Sequence, residues 1–295
     1  MNSQNQFNHR TVFRSKEGQQ LIRDYYNQII TPLPFKQHHL ATSYGETFVL
    51  EAGVPQNPVM ILLHGSCSNS AAWLADMPLL VSHYHLYAID WLGEPGNSEA
   101  IRLNFENGEY TQWLDEVLNS LAVTKAIIIG NSMGGWLALH YAAAYPKRTD
   151  ALILLASSGI VPPDQSFTDR TASLAIDNNA KSPNTEQLVS DSASIIDAVM
   201  DTSTLPKEVL EFMTLIMTHF IPMTGELPIL PDSQMRNLSM PVLCVMADGD
   251  MTLNPEAAAN RLKTLVPHAM VKSIEGAHTI TSAAEYIMPF LNESR

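Results

Sequence analysis

Residues 126–140 read AIIIGNSMGGWLALH: three consecutive isoleucines, Ile127-Ile128-Ile129, run into Gly130-Asn131-Ser132-Met133-Gly134-Gly135 and then into more apolar chain. The β-branched run suits a strand buried on both faces, and the apolar stretch after it suits a crossover helix. Between them stands one hydroxyl with a glycine two positions to either side, the G-x-S-x-G pattern in the strand–turn–helix context that gives it meaning. A tight strand-to-helix turn drives its central residue toward unfavourable φ/ψ, and the glycines let neighbouring backbone pass closely. Ser132 is therefore a candidate nucleophile at the carboxyl end of a sheet, where open α/β folds place their ligands. The competing reading is a Gly-rich turn with a solvated serine.

Outward from this turn, apolar runs of the same kind recur at Val59–Leu63, His85–Ile89, Ala151–Leu155 and Pro241–Met246. Stretches long enough for helices separate them, such as Tyr110–Leu121 and Met133–Tyr145. Strand and helix alternating in this way predict an open, mostly parallel α/β sheet with flanking helices. Gln37–Ala52 reads as an antiparallel hairpin leading into it. Ser15–Ile30 reads as an N-terminal helix with Leu21, Ile22 and Tyr25 on one face, ended by Thr31-Pro32.

The rhythm breaks between Ser157 and Met240, a stretch with seven prolines and no run that reads as a buried parallel strand. It carries one amphipathic segment, Glu208–Phe220, with Val209, Phe212, Met213, Ile216, Met217 and Phe220 at helical spacing. The expected organisation is a core of 1–156 and 241–295, in which 1–36 is an N-terminal extension, and a helical cap at 157–240 inserted between two core strands.

With 295 residues, 45% of them hydrophobic, the chain can bury one large core plus an insertion. A formal charge of −13 repels phosphate backbones and anionic lipid surfaces, so nucleic acid is excluded as an expected partner. The insertion holds 11 acidic and 4 basic residues, more than half of the net charge. The polar start, Met1–Gln6, lacks a basic-then-apolar leader pattern, and no apolar run approaches the roughly 20 residues that span a bilayer. A cytoplasmic protein without membrane insertion is expected. Cys67 and Cys244 are too few for a disulfide framework and lack metal-ligand spacing, so no metal or cofactor is expected.

A serine hydroxyl needs a base, and the base an orienting group. Four histidines follow Ser132 in the chain. His140 falls inside the helix after the turn, His219 on the insertion and His268 in a loop. His278 follows a strand-like run and Gly276, at the end of a terminal strand, where a base must stand. For the acid, Asp248 and Asp250 compete in Ala247-Asp248-Gly249-Asp250, just past the strand that starts at Pro241, with Asp250 preferred.

From about Tyr44 to the C-terminus the chain resembles a lidded, esterase-like α/β-hydrolase. Leu62-Leu63-His64-Gly65-Ser66 matches the strand end whose following residue helps bind an oxyanion, and Asp90–Ser98 matches the Asp followed by a Gly-x-Ser turn, with one residue more than the usual pattern. Ala247–Asp250 is similar to the Gly-x-x-Asp of the acid, with Ala in place of the first glycine, and Gly276-Ala277-His278 to the Gly-x-His of the base. The resemblance implies a serine carboxylesterase with catalytic Ser132, Asp250 and His278. It also implies oxyanion donors at the backbone N–H groups of Ser66 and Met133. His64 would order the loop, and Cys67 would be a packed side chain. Phe212, Met213, Met217, Phe220 and Met223 of the insertion are the expected acyl-pocket wall, each weighed against simple core packing. The expected substrate is a small uncharged ester. Alternatives are a carbon–carbon bond hydrolase, another acyl hydrolase of the same fold, or a small-ligand receptor on this scaffold.

Overall fold

The apolar runs pair into one sheet whose order, among the described residues, is β1-β2-β4-β3-β5-β6-β7-β8. The structure is a computed structural model and describes residues 12–167, 169, 196, 202–223, 226–280 and 282–293. The strands are β1 (Lys36–Thr42), β2 (Gly45–Ala52), β3 (Val59–Leu63), β4 (His85–Ile89), β5 (Ala126–Asn131), β6 (Thr149–Leu155), β7 (Val242–Ala247) and β8 (Met270–Ile274). β1 and β2 form the antiparallel hairpin, β2 is antiparallel to β4, and every pairing from β4 to β8 is parallel.

Both faces of this sheet are covered, which is why its strands read as continuous apolar runs rather than alternating ones. Along β3 the pleat sends Ile61 and Leu63 into one core and Met60 and Leu62 into the other. The first core is roofed by α3 (Glu109–Ser120), α4 (Met133–Ala144), the short α6 (Asp232–Met235) and α7 (Pro255–Leu265). The second is roofed by α1 (Lys16–Ile30), the short α2 (Met77–Leu80), α5 (Lys207–His219) and α8 (Ala284–Glu293). No helix among the described residues is long and apolar enough to cross a membrane.

The N-terminal helix is part of this packing. Ser15 caps it, its hydroxyl accepting from Gly18 N–H at 2.9 Å. Its buried face is Ile22, Tyr26 and Ile30, spaced by four, whereas Leu21 is 51% exposed and Tyr25 half-buried. The apolar face therefore lies to one side of the one expected. Fully buried Tyr26 donates its hydroxyl to Asp90 Oδ1 at 3.2 Å, and Arg23 donates to Gly96 O and Ser98 O, so α1 holds the loop after β4.

Asp90 is also reached by Ser70 N–H and Oγ–H and by Asn97 N–H, so a fully buried carboxylate has its lone pairs filled by the chain itself. Asp76 plays a comparable part at the other end of the sequence: its Oδ1 accepts from Ser282 Oγ–H, Ala283 N–H and Ala284 N–H, capping α8. Of the expected cap at 157–240, α5, α6 and short connecting stretches are described, and the remainder lies outside the described residues.

Candidate active site

Four strands of the parallel sheet deliver the expected residues to its carboxyl edge: β3 leads to His64–Cys67, β5 to Ser132, β7 to Asp250 and β8 to His278. Ser132 sits at φ 54°, ψ −114°, a conformation that costs a residue with a Cβ of order 1–3 kcal/mol. The turn is pinned from below: Ser132 N–H donates to Leu155 O at 2.9 Å, and Ser132 O accepts from Ser158 N–H and Trp136 N–H, both at 3.1 Å. A Cβ on Gly130 would collide with Gly134 O, and one on Gly134 with Leu63 O, so the two flanking glycines allow strand, turn and helix to touch through backbone alone.

Ser132 occupies the N-cap position of α4, where serine ordinarily caps with its side chain, yet it makes no such bond. Its Oγ is turned instead to His278 Nε2 at 2.8 Å. The other ring nitrogen, Nδ1, lies 2.7 Å from Asp250 Oδ2 and 2.8 Å from Thr252 Oγ1. Thr252 also gives Asp250 Oδ1 its N–H and its Oγ–H, both at 2.7 Å. Burial pushes the Asp250 carboxyl up, but the bonds from His278 and Thr252 outweigh it and hold the group below the ordinary aspartate value. An ionised Asp250 accepts the Nδ1 proton, which leaves Nε2 bare and facing the serine. Asp250 and His278 are each 8% exposed, so the array is shielded from bulk water.

Asp248 stands apart from this array and receives Gly276 N–H at 3.3 Å on the surface. Neither His140 nor His268 meets Ser132: His140 Nδ1 bonds Trp136 O within α4, and His268 Nε2 bonds Met240 O. Met133 N–H is the first of α4 and, like Ser66 N–H, has no partner among the described residues. His64 is buried; its Nδ1 bonds Gly65 O at 2.7 Å, and Nε2 receives Trp91 N–H at 3.1 Å. Burial pushes the Cys67 thiol up to about 12, so it stays protonated beside Ser66.

The expected pocket residues divide. Phe212 stacks flat on Tyr25 at 5.0 Å, and Phe220 meets Phe13 edge-on at 5.7 Å with the Arg102 guanidinium 5.3 Å above its ring. Both belong to the second core, between α5 and the N-terminal segment. Met217 is buried, and Met213 and Met223 are half-buried, Met223 against the first core.

The family model for the alpha/beta hydrolase fold matches residues 58–193, which include β3 to β6 and the Ser132 turn. The chain superposes on the crystal structure of carboxylesterase CesB (YbfK) from Bacillus subtilis with a TM-score of 0.81 at 18% identity, covering 94% of this chain and 98% of that one. The chain has the α/β-hydrolase fold. A second structure with the same fold is the crystal structure of naproxen esterase (carboxylesterase NP) from the same organism, with a TM-score of 0.78 at 21% identity over 91% of this chain and 96% of that one. In sequence the chain is 24% identical over 290 residues to the uncharacterized carboxylesterase nap of Bacillus subtilis (strain 168), covering 92% of this chain and 93% of the relative.

Thr252 and Glu94 are the site neighbours that sequence reasoning missed. Thr252 had a local signal, since Asp-x-Thr is the spacing at which an aspartate accepts the N–H two residues on. Glu94, whose carboxylate receives Cys67 N–H at 2.7 Å, had none beyond lying in the loop with one extra residue.

Proposed function

We propose that this chain is a serine hydrolase of the α/β-hydrolase family and cleaves carboxylic esters through an acyl-enzyme on Ser132. The observation that carries the reading is the Ser132 Oγ to His278 Nε2 hydrogen bond at 2.8 Å from a strained turn, with the opposite ring nitrogen held by Asp250. Ser132 Oγ attacks the acyl carbon as His278 Nε2 takes its proton. Asp250 fixes the tautomer and stabilises the imidazolium. The carbonyl oxygen, now an oxyanion, is met by the N–H groups of Ser66 and Met133, the latter at the positive end of α4. His278 then returns the proton to the leaving alkoxide, and water repeats the sequence to free the acid.

The names of the relatives, carboxylesterases and a naproxen esterase, support a small-molecule ester as substrate. The −13 charge favours uncharged esters over anionic ones. The insertion at 157–240 is read as a cap over the serine, tied to the core by Trp136 Nε1–H donating to Pro228 O at 2.8 Å and by Arg102 donating to Ile221 O. Within it Met213, Met217 and Met223 remain the soft wall of the acyl site.

The test is release of p-nitrophenolate from esters of acetate through decanoate by the purified protein and by Ser132→Ala in parallel. Turnover with one preferred chain length, lost by at least about 10³-fold in the variant, is the expected result. Turnover that persists in Ser132→Ala overturns the reading.

A further inference from the structure

The loop that carries Ser66 is fastened to the loop after β4 at two points. Trp91 N–H donates to His64 Nε2 at 3.1 Å, and Cys67 N–H donates to Glu94 Oε2 at 2.7 Å. A main-chain N–H can only donate, so His64 Nε2 is bare and the ring proton sits on Nδ1, which donates to Gly65 O at 2.7 Å. Burial lowers the His64 pKa and keeps the ring in this neutral form.

These bonds grip successive peptide planes. A peptide unit is planar and trans, so the Gly65 C=O held toward His64 makes the Ser66 N–H of the same unit point the opposite way. The next unit carries the Cys67 N–H, and Glu94 holds that one. Ser66 is thus fixed on both sides. Cys67 follows at φ 55°, a left-handed value that a residue with a Cβ keeps only where its surroundings hold it.

We propose that Glu94 is a positioning residue for ester cleavage: by accepting Cys67 N–H it holds the Ser66 N–H in line with the oxygen of the acyl group. This rests on the reading of Ser132 as nucleophile given above. Glu94 is 4% exposed, and burial pushes its carboxyl up to about 7 against partial opposition from Arg102 and from the Cys67 N–H. A carboxyl placed where it disfavours its own ionised form, one residue from a candidate oxyanion donor, fits a role in the site better than one in stability. The other titratable groups that face it, the Cys67 thiol and the Tyr110 hydroxyl, are both pushed up by burial and stay neutral. Arg102 is itself anchored, donating to Ile221 O with its guanidinium over the Phe220 ring, so the surroundings of Glu94 reach the segment after α5.

Glutamine retains a side-chain oxygen of the same reach, alanine has none, and leucine fills the buried space without an acceptor. The experiment measures kcat and KM on the preferred p-nitrophenyl ester, and the affinity of an alkylboronic acid whose tetrahedral serine adduct places an oxygen in the hole. The proteins are wild type, Glu94→Ala, Glu94→Leu, Glu94→Gln and Ser132→Ala, with thermal unfolding as the check on folding. In Glu94→Ala, and in Glu94→Leu should alanine fail to fold, kcat and boronate affinity are expected to fall together, on the order of 10- to 100-fold, with KM within about threefold. Glu94→Gln is expected to recover most of both. A kcat within about threefold of wild type in the folded Ala or Leu variant overturns the proposal, as does a Gln variant that falls as far as they do. Turnover that survives in Ser132→Ala removes the underlying reading of the site, whereas serine-dependent turnover unaffected at Glu94 removes only this role.

Discussion

Thr252 Oγ1 lies 2.8 Å from His278 Nδ1 and 2.7 Å from Asp250 Oδ1, so one hydroxyl spans the ring and the carboxylate that orient each other. Asp250, ionised, cannot donate; the hydroxyl proton therefore goes to Asp250 and a lone pair faces the Nδ1–H. Thr252→Val keeps the N–H bond to Asp250 and loses both of these. One hydrogen bond to a buried charge is worth about 1.5–3 kcal/mol, and only part of that differs between ground and transition states. The expected outcome is a fall in kcat of about tenfold with KM little changed, read from steady-state ester hydrolysis.

Gly134→Ala places a methyl against backbone that has nowhere to go: its Cβ would overlap Leu63 O and stand 2.6 Å from His64 O. Those atoms belong to β3 and the start of the Ser66 loop, so the clash falls on both fold and site. A loss of about 3 kcal/mol or more in denaturant unfolding, or failure to accumulate as soluble protein, is expected. An unfolding midpoint equal to wild type would contradict the close approach of α4 and β3.

Glu94 makes stability depend on pH in a sense opposite to most carboxylates. Its folded-state value of about 7 lies above the ordinary glutamate value of 4.5, so the folded protein prefers the protonated form. The stability this gives is fully present below about 4.5 and is lost as pH rises through about 7, up to roughly 3 kcal/mol in all. Glu94→Gln removes the loss. The variant's unfolding temperature is expected to exceed that of wild type by more at pH 8 than at pH 5; a difference independent of pH would refute the buried titration.

Tyr26→Phe tests whether α1 is structural. The change deletes the hydroxyl that donates to Asp90 and leaves that carboxylate with Ser70 and Asn97 as donors. A cost of about 1–2 kcal/mol in denaturant unfolding, with an unchanged m-value, is expected. A variant as stable as wild type would mean that the helix lies on the core without holding it.

The sheet was readable because β3 to β7 bury both faces and leave continuous Ile, Val and Leu runs, and the Ser132 turn because its two glycines answer a local steric demand. Contacts between distant stretches that carry no motif were not readable. Periodicity showed that α5 has an apolar face but not that Phe212 and Phe220 would be taken up by Tyr25 and Phe13, because the partner of a helix face is set by tertiary packing. In α1 the pattern offered Leu21, Ile22 and Tyr25, and the helix turned so that Tyr26 could reach Asp90. Glu94 left no mark beyond the extra residue in its loop, since its bond to Cys67 joins two loops whose approach only the strand order creates.

The bond from Asp76 to the start of α8 joins positions more than 200 residues apart. During synthesis the early sheet would wait with that carboxylate unanswered. A chain halted before Ala283 would carry Ser132, Asp250 and His278 on a sheet whose second face still lacks α8, so the fold around the site is complete only when a late segment returns to an early one.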